Sequence, residues 1–307
     1  MLRCLSWCMG ALPLSTALAV GRLVARLWFY CIPIRRRVAL TNIGKALGAA
    51  LAPAERRRIA RGSFESLAMM AVETLRYPHL DAASSTEHVR RQGFEHCAAA
   101  FAKHKGVIFV ASHLGNVELL GTSQGVRGMV LNAVVKEIKN PAVHRFLFDH
   151  RSRCNIRVVP PRRSKDLIYA ALARGEGVTF IVDQHMAPYR AVVCEFFGML
   201  ASTSPAPARF AFETGAPVIP VAMFRDRTRP THHTARFEPE LVLETPYATL
   251  DDNIWHNTQR LNRIIEGWIR EAPDQYLWLH RRFKVHDDPT GFQIPAQLQH
   301  LRHESRP

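Results

Sequence analysis

The sequence predicts an α/β fold, with a mostly parallel or mixed central sheet flanked by helices on both faces and an N-terminal apolar helical membrane anchor. Short apolar runs rich in β-branched residues alternate with segments of helical length, which is typical of repeated strand–helix–strand units. Polar residues follow two of these runs directly, and the first 34 residues are mostly apolar. The predicted strands cover residues 107–110, 129–135, 156–159, 178–182 and 218–224.

The N-terminal residues have the composition of a membrane anchor. Residues 4–21 carry no charge, although Pro13 interrupts them, and their length is at the lower limit for a spanning helix. Apolar and aromatic residues continue through residue 34, where Arg35-Arg36-Arg37 follow at once. Aromatic residues beside a basic cluster are typical of segments that contact anionic headgroups. We therefore expect an anchor over residues 1–34, with the bulk of the protein on the cytoplasmic side.

A cleaved signal peptide is the alternative interpretation of this segment. Ala17-Leu18-Ala19 resembles a cleavage site. However, the apolar character continues beyond that site, and the three arginines behind it would resist translocation. We therefore favour a retained segment.

The net charge calls for an acidic partner. The chain has 41 Lys and Arg against 26 Asp and Glu, a formal charge of +15, which suits nucleic acid, an anionic membrane surface or acidic substrates. No nucleic-acid-binding motif accompanies the basic residues, so we expect a membrane surface and no nucleic acid. The six cysteines are scattered without a C-x2-C pair, which predicts a reducing compartment and no disulfide framework.

Helices are predicted between the anchor and the first strand. Pro53 marks a helix start. Residues 63–77 form a second helix or a continuation of the first, ended by Pro78, and residues 87–103 also have a helical pattern. The first strand is therefore preceded by a largely helical region.

The first strand ends at a histidine. Residues 107–110 are followed by Ser112 and His113, and Glu118 opens a helical segment. His113 therefore lies on the loop at the carboxyl end of a strand, where open α/β sheets bind ligands. With Glu118 in the first helical turn, its carboxylate can fold back onto the imidazole and fix the tautomer, as a general base requires. On spacing alone, a histidine that merely caps the strand remains the alternative.

A second polar group follows a later strand. A helix over residues 142–153 carries Arg145, Arg151 and Arg153, and Ser164 caps the next helix. The strand at residues 178–182 then ends in Asp183-Gln184-His185. Because the carboxyl ends of parallel strands share one edge of a sheet, we expect Ser112-His113 and Asp183-Gln184 to converge there.

The C-terminal third completes the predicted domain. The hydroxyl-rich residues 201–204 lie in a loop entering a helix over 205–214, where they cap that helix or bind an anion. The alternating pattern of residues 232–244 predicts an edge strand. Thr249 and Asp252 form a capping box that predicts the start of a long helix. The predicted divisions are an anchor (1–34), a main domain (35–285) and a poorly ordered tail (286–307).

Four sequence blocks resemble a known family. They are Ser112-His-Leu-Gly-Asn-Val-Glu118; Asn140-Pro141 followed by Arg151 and Arg153; Asp183-Gln184 with Phe196-Phe-Gly198 and Thr203; and Ala272-Pro-Asp-Gln-Tyr-Leu-Trp-Leu-His-Arg-Arg-Phe-Lys284. On these blocks the chain resembles the lipid A biosynthesis acyltransferases, the lauroyl and myristoyl transferases, over roughly residues 10–285. Val117 departs from the pattern, since the family often has an aromatic residue there, and so does His185.

The resemblance implies an O-acyltransferase of the bacterial inner membrane, acting at its cytoplasmic face. An acyl thioester, on acyl carrier protein, would be attacked by a hydroxyl of a membrane-embedded glycolipid. His113 would act as general base, and Glu118 would orient it and stabilise the imidazolium. No G-x-S-x-G motif is present, which favours direct transfer over an acyl-enzyme. The chemistry needs neither a cofactor nor a metal.

The resemblance also implies two sets of binding residues. Oxyanion stabilisation and substrate binding would involve Arg151, Arg153, the loop residues Gly115 and Asn116, Asp183 and Thr203. Contacts to the phosphates of the acceptor or of the bilayer would come from Arg281, Arg282, Lys284, Arg35, Arg36 and Arg37.

Three alternatives remain open. The same chemistry would serve an amino-acid lipid or a mannosylated phospholipid as acceptor. A hydrolase would use His113 and Glu118 to activate water, with or without a metal, and would release free fatty acid. A non-catalytic basic membrane or nucleic-acid binder would not need His113 at all.

Overall fold

The computed structural model describes residues 2–48, 51–135, 138–160 and 164–305. The strands are β1 (Val89–Gln92), β2 (Val107–Ala111), β3 (Leu131–Val134), β4 (Ile156–Val159), β5 (Gly177–Ile181), β6 (Val192–Phe196), β7 (Met199–Thr203), β8 (Val218–Arg225) and β9 (His233–Phe237). The helices are α1 (Leu2–Ala11), α2 (Leu14–Cys31), α3 (Arg36–Leu47), α4 (Pro53–Arg76), α5 (Ala82–His88), α6 (Phe94–Phe101), α7 (Val117–Gly125), α8 (Pro141–Arg153), α9 (Ser164–Ala173), α10 (Ala206–Thr214), α11 (Leu250–Glu271) and α12 (Lys284–Asp287).

A seven-stranded sheet in the order β1-β9-β8-β2-β5-β3-β4 forms the centre of the protein. Every pairing in it is parallel except that of β8 with β9. The predicted mostly parallel or mixed sheet is therefore confirmed. β9 lies between β1 and β8, so the prediction of an edge strand was wrong, because β1 pairs with its outer side.

Helices cover both faces of the sheet. All five residues of β2 are buried, as in parallel strands covered on both sides. Ile108 and Val110 pack into one core with residues of α4, α9, α10 and α11. Val107 and Phe109 pack on the opposite face with residues of α6 and α7. The strand that precedes His113 is thus held rigidly from both sides.

Two elements differ from the sequence-based expectation. Residues 201–204 were expected in a loop, but β6 and β7 form an antiparallel hairpin. Phe197 and Gly198 join them with φ angles of 54° and 73°, the left-handed pair that a tight two-residue hairpin turn requires. Residues 89–92, expected to be helical, form β1 because they pair with β9.

The N-terminal helices pack on the main domain. α2 buries Ala17, Leu18, Gly21, Ala25 and Phe29, and a Cβ at Gly21 would lie 2.9 Å from Val72 Cγ2 of α4. In the described residues, no single helix has both the length and the apolar character needed to cross a membrane. Only α2 and α3 taken together, bent by 90° at their junction, meet that test of length and composition.

The C-terminal residues also pack on the domain. Residues Ala296–Ser305 form a 3-10 helix, where the sequence predicted a poorly ordered tail. Leu298 and Leu301 lie one turn apart and are buried beside Val193, Leu200 and Trp255. The apolar spacing of these leucines explains the difference, because both reach the same cluster.

Candidate active site

His113 and Asp183 meet because two neighbouring strands end in register. Ala111 of β2 pairs with Ile181 of β5, and His113 and Asp183 each lie two residues beyond. The His113 backbone N–H donates to Asp183 Oδ2 at 2.9 Å, and His113 Nδ1 lies 2.8 Å from Asp183 Oδ1. Asp183 therefore fixes both the backbone and the ring of His113. The predicted convergence of these two loops is confirmed.

Glu118 does not orient His113, which corrects the expectation from their spacing. Asn116 accepts a hydrogen bond from the Leu119 N–H and caps α7, so the helix begins at Val117. Because the helix begins there, the Glu118 side chain points toward α8. Its carboxylate accepts hydrogen bonds from Arg151 Nε at 3.1 Å and from Arg151 Nη2. Within the described residues, no hydrogen bond joins Glu118 to His113.

The electrostatics of His113 follow from this arrangement. Burial opposes the charged imidazole, but the charge and hydrogen bond of Asp183 outweigh it and raise the pKa of His113, with a smaller contribution from the charge of Glu118. Burial likewise opposes the Asp183 carboxylate, yet His113 lowers the pKa of Asp183 below its ordinary value. Asp183 therefore stays ionised and favours an imidazole that takes up a proton.

Gln184 contacts the second ring nitrogen of His113. Its Nε2 lies 3.1 Å from His113 Nε2. Because Nδ1–H donates to Asp183, Nε2 carries the lone pair and accepts from the Gln184 amide. Consecutive residues at the end of β5 thus bond the two nitrogens of one imidazole. Sequence reasoning assigned Gln184 no role; its adjacency to Asp183 was the available signal.

The loop after His113 is clamped by the segment following α11. Gly115 N–H donates to Gln275 O and Leu277 N–H donates to His113 O, both at 3.0 Å. Gly115 has a φ of 61°, and a Cβ there would lie 2.1 Å from Met223 O, so only glycine fits. The Gly115 amide is therefore already bonded, which corrects its assignment to an oxyanion.

The Asn116 side chain also makes structural hydrogen bonds, which corrects its assignment to oxyanion or substrate binding. It is buried, and besides capping α7 its Nδ2 donates to Glu73 Oε2 at 2.7 Å. Glu73 additionally accepts from both terminal nitrogens of Arg225 at 2.6 Å and from His233 Nε2 at 2.9 Å. This buried network, which the sequence did not reveal, ties α4 to residues 112–116, the loop that carries His113, which we call the catalytic loop.

Arg282 and Thr203 form a buried support, which corrects both assignments. Arg282 is 2% exposed. Its Nη1 donates to the carbonyls of Ser202 and Gln184, and its Nη2 donates to Thr203 Oγ1 at 2.8 Å. Arg282 therefore holds the Gln184 segment instead of contacting phosphate, and Thr203 binds Arg282 instead of substrate.

The other predicted basic contacts lie on the surface. Arg35, Arg37, Arg281 and Lys284 are exposed. Arg36 instead donates to Phe29 O at 2.8 Å and caps the carboxyl end of α2. Arg153 is exposed on a face of α8 away from the Arg151–Glu118 pair, lining a cavity with Leu2 and Phe146. Its assignment to the oxyanion is therefore corrected.

One cavity is lined in part by His113, and a second cavity shares Val117 with it. A small one lies between α4 and the catalytic loop, and its lining includes Ser66, Met70, His113 and Val117. Val117 also lines a second, largely apolar cavity between α7, α8 and the sheet. That cavity has a volume of about 70 Å³ and is lined by Phe109, Leu120, Leu131, Ile156, Glu118 and Arg151, among others. Val117 therefore lies between the larger apolar cavity and the one that His113 lines.

The chain is similar to known acyltransferases. The family described as bacterial lipid A biosynthesis acyltransferase matches residues 3–285. The lipid A biosynthesis lauroyltransferase of Escherichia coli (strain K12) is 28% identical over 247 residues, covering 79% of this chain and 76% of that protein. The lipid A biosynthesis palmitoleoyltransferase of the same organism is 27% identical over 238 residues, covering 77% and 74%.

A relative that is named for a different acceptor also matches. The phosphatidylinositol mannoside acyltransferase of Mycobacterium tuberculosis (strain ATCC 25618 / H37Rv) is 24% identical over 163 residues, which is 52% of this chain and 52% of that protein. The family match covers nearly the whole chain, and it confirms the resemblance predicted from the four sequence blocks. The chain therefore belongs to the bacterial lipid A biosynthesis acyltransferase family, and it is an acyltransferase.

Proposed function

We propose that this enzyme transfers a fatty acyl chain from an acyl thioester, carried by acyl carrier protein, to a hydroxyl group of a lipid A precursor. The transfer takes place at the cytoplasmic face of the bacterial inner membrane. The family match and the relatives that act in lipid A biosynthesis support the acceptor. The observation that carries the mechanism is the His113–Asp183 pair beside an apolar cavity.

His113 acts as the general base. Asp183 holds the proton on Nδ1, so Nε2 is the atom that accepts the proton of the acceptor hydroxyl. The hydroxyl first replaces the Gln184 amide at Nε2. Its oxygen then attacks the thioester carbonyl as its proton passes to His113. When the tetrahedral intermediate collapses, the C–S bond breaks and the imidazolium returns the proton to the thiolate, leaving an ester and a free thiol.

Arg151 stabilises the oxyanion of that intermediate. Glu118 accepts from Arg151 Nε and Nη2, and Nη1 has no hydrogen-bond partner among the described residues. A guanidinium held by two of its nitrogens presents the third in a fixed direction. Glu118 is thus a positioning residue that acts on Arg151, with a smaller effect on the charge of His113.

Direct transfer is favoured over an acyl-enzyme. Burial raises the pKa of Cys154 to about 11 and the pKa values of Cys97 and Cys194 to about 12, so these thiols are not ionised at neutral pH. The Ser112 hydroxyl, next to His113, is buried and makes no hydrogen bond within the described part of the chain. It is therefore not activated by the imidazole.

The apolar cavity shared through Val117 accommodates the acyl chain. Its charged lining residues, Glu118 and Arg151, are those proposed to act at the thioester carbonyl. Its volume of about 70 Å³ is below the roughly 300–1,000 Å³ of typical ligand sites. Acyl binding therefore requires α7 or α8 to move away from the sheet.

The outer face of α2 supports membrane association. Its apolar residues Val20, Leu23, Val24 and Leu27 are 40–58% exposed, and the exposed Arg35 and Arg37 follow the helix. Apolar side chains bordered by arginines suit an anionic bilayer surface. Leu23→Asp is expected to reduce sedimentation with anionic vesicles, whereas Val242→Asp, at an exposed apolar residue of the C-terminal half, should not. Equal binding by both variants would refute this docking face.

A transfer assay tests the chemistry. Labelled acyl-carrier thioester and membrane lipids are incubated with the wild type, His113→Ala and a matched control, His256→Ala. His256 is 21% exposed and bonds Glu244, as His113 is 23% exposed and bonds Asp183. We expect ester formation to be lost in His113→Ala and retained in His256→Ala. A fully active His113→Ala enzyme would refute the mechanism.

The mannoside acyltransferase relative favours one second candidate acceptor, a mannosylated phospholipid. The same residues would perform that reaction. Supplying both lipids to the assay and identifying the acylated product by mass spectrometry separates the two acceptors.

A further inference from the structure

A cavity of about 900 Å³ lies between α1 and α8, and we call it the α1–α8 cavity. Its lining includes Leu2, Pro78, Arg145, Phe146, His150 and Arg153. Its volume falls within the roughly 300–1,000 Å³ of ligand-binding sites. The reaction described above leaves this space without a role.

Two arginines line the cavity without partners. Arg145 and Arg153 make no hydrogen bond or ion pair with any other described residue. Asp149, also in the lining, is four residues from each along α8, yet it forms no ion pair with either in the described structure. The arginines are eight residues apart, so their Cα atoms are separated by about 12 Å along the helix. Two cations at this spacing suit an elongated anionic ligand.

The charged side chains of the lining are two arginines, Arg145 and Arg153, and one carboxylate, Asp149. Burial, together with the charges of Arg153 and Arg151, lowers the pKa of His150 to about 4. His150 is therefore neutral at physiological pH and adds no charge to the cavity. An anion placed there would be stabilised by both arginines.

Apolar side chains also line the cavity. They include Leu2, Pro78 and Phe146. Leu5 and Trp7 of α1 are exposed nearby on the same helix, Trp7 by 73%. A ligand that filled the cavity would thus meet both guanidinium groups and hydrocarbon, a combination that suits an anionic amphiphile.

The inner wall is connected to the catalytic loop. The ring of His150 stacks on Tyr77 with centroids 4.4 Å apart, and the Tyr77 hydroxyl donates to Asn116 Oδ1 at 3.4 Å. Arg151, the next residue of α8, binds Glu118. The lining of the cavity is therefore linked through Tyr77 and Asn116 to the loop that carries His113.

We propose that the α1–α8 cavity binds the phosphate-bearing end of the acceptor glycolipid, with Arg145 and Arg153 on its phosphate oxygens and Leu2 and Phe146 on its hydrocarbon. This inference rests on the proposed function, because the acceptor bound here is the one whose hydroxyl reaches His113. Arg145 and Arg153 then determine specificity for phosphorylated acceptors.

The test compares a phosphorylated glycolipid acceptor with its enzymatically dephosphorylated form. For the wild type, the ratio of kcat/KM values favours the phosphorylated lipid. In Arg145→Gln/Arg153→Gln this ratio is expected to fall by about tenfold, through KM, because the charge-assisted hydrogen bonds of both arginines to the phosphate are lost. The control Arg90→Gln removes an exposed arginine from β1, at the opposite edge of the sheet, and should leave the ratio unchanged.

A binding measurement keeps the two proposals separate. Fluorescent phosphorylated glycolipid in detergent micelles is titrated into wild type, the double variant and His113→Ala. The site is supported if the double variant binds the lipid more weakly while the wild type and His113→Ala bind it equally well, and if millimolar inorganic phosphate does not displace the lipid from the wild type. This result supports the site even if no transfer is observed. Equal binding by wild type and double variant, or full competition by inorganic phosphate, would overturn it.

Discussion

Asp183 accepts hydrogen bonds from both the backbone N–H and the Nδ1–H of His113, at 2.9 and 2.8 Å. One carboxylate thereby fixes the position, the tautomer and the charge preference of the proposed base. The arrangement depends on two parallel strands ending in register, so it belongs to the sheet itself and not to a flexible loop.

Asp183→Asn is expected to lower kcat by about 10²–10⁴-fold, because an amide can stabilise the wrong imidazole tautomer. A general base must be neutral, so kcat/KM rises with pH through the pKa of His113. Asp183 raises that pKa, and its replacement therefore moves the rising limb of the residual activity to lower pH. The measurement is the pH profile of kcat/KM. Glu244→Gln, which removes the carboxylate paired with His256, serves as the control. If the rising limb of the Asp183→Asn profile lies at the same pH as that of the wild type, Asp183 does not raise the pKa of the catalytic base.

Gln184→Ala should move the same limb in the opposite direction. The Gln184 amide donates to the His113 lone pair at 3.1 Å, which favours the neutral imidazole, so its removal raises the pKa of His113. A net hydrogen bond contributes roughly 0.5–1.5 kcal/mol, so kcat/KM on the plateau should change by less than about tenfold. The acceptor KM should fall, because the hydroxyl no longer competes with the amide. A limb displaced to lower pH would refute this contact.

The contrast between Asp183 and Glu118 shows what the sequence could predict. The strands and the loops that meet at the site were predictable, because apolar runs and their polar ends are local features. The partner of His113 depended on the pairing of Ala111 with Ile181, which no local pattern contains. Glu118 was misassigned because the direction of its side chain depends on the residue at which α7 begins, and the cap at Asn116 determines that residue.

Burial was the second quantity that the sequence did not contain. Arg282 and Lys284 are close neighbours in one basic block, yet Arg282 is buried beneath the site and Lys284 is exposed. The hairpin of β6 and β7 creates this difference, because Ser202 and Thr203 supply the acceptors that a buried guanidinium needs. Composition alone treats the two residues as equivalent.

A double-mutant cycle tests whether Glu118 acts through Arg151. Glu118→Gln and Arg151→Gln should each lower kcat, by about 10²–10³-fold for the arginine if it stabilises the oxyanion. If Glu118 only positions Arg151, the double variant should be no slower than Arg151→Gln by more than a small factor. Fully additive losses would instead favour a direct action of Glu118 on His113. Thermal unfolding of all three variants checks that the losses are not caused by unfolding.

Glu73→Gln tests the buried network behind the catalytic loop. Glu73 accepts four hydrogen bonds, from Arg225 twice, from His233 and from Asn116, and the Arg225 and Glu73 side chains are only 5% and 7% exposed. Loss of the carboxylate leaves the Arg225 charge buried without its counter-charge, so the free energy of unfolding should fall by about 3–5 kcal/mol.

The matched control is Glu271→Gln, because Glu271 also binds an arginine through both of its oxygens but is 51% exposed. An exposed pair of this kind contributes about 0–1 kcal/mol. Chemical denaturation of both variants gives the comparison. Equal losses would show that burial of Glu73 is not what makes its pair important. A larger loss for Glu73→Gln, with a reduced kcat in the folded fraction, would show that Asn116 transmits the network to the loop that carries His113.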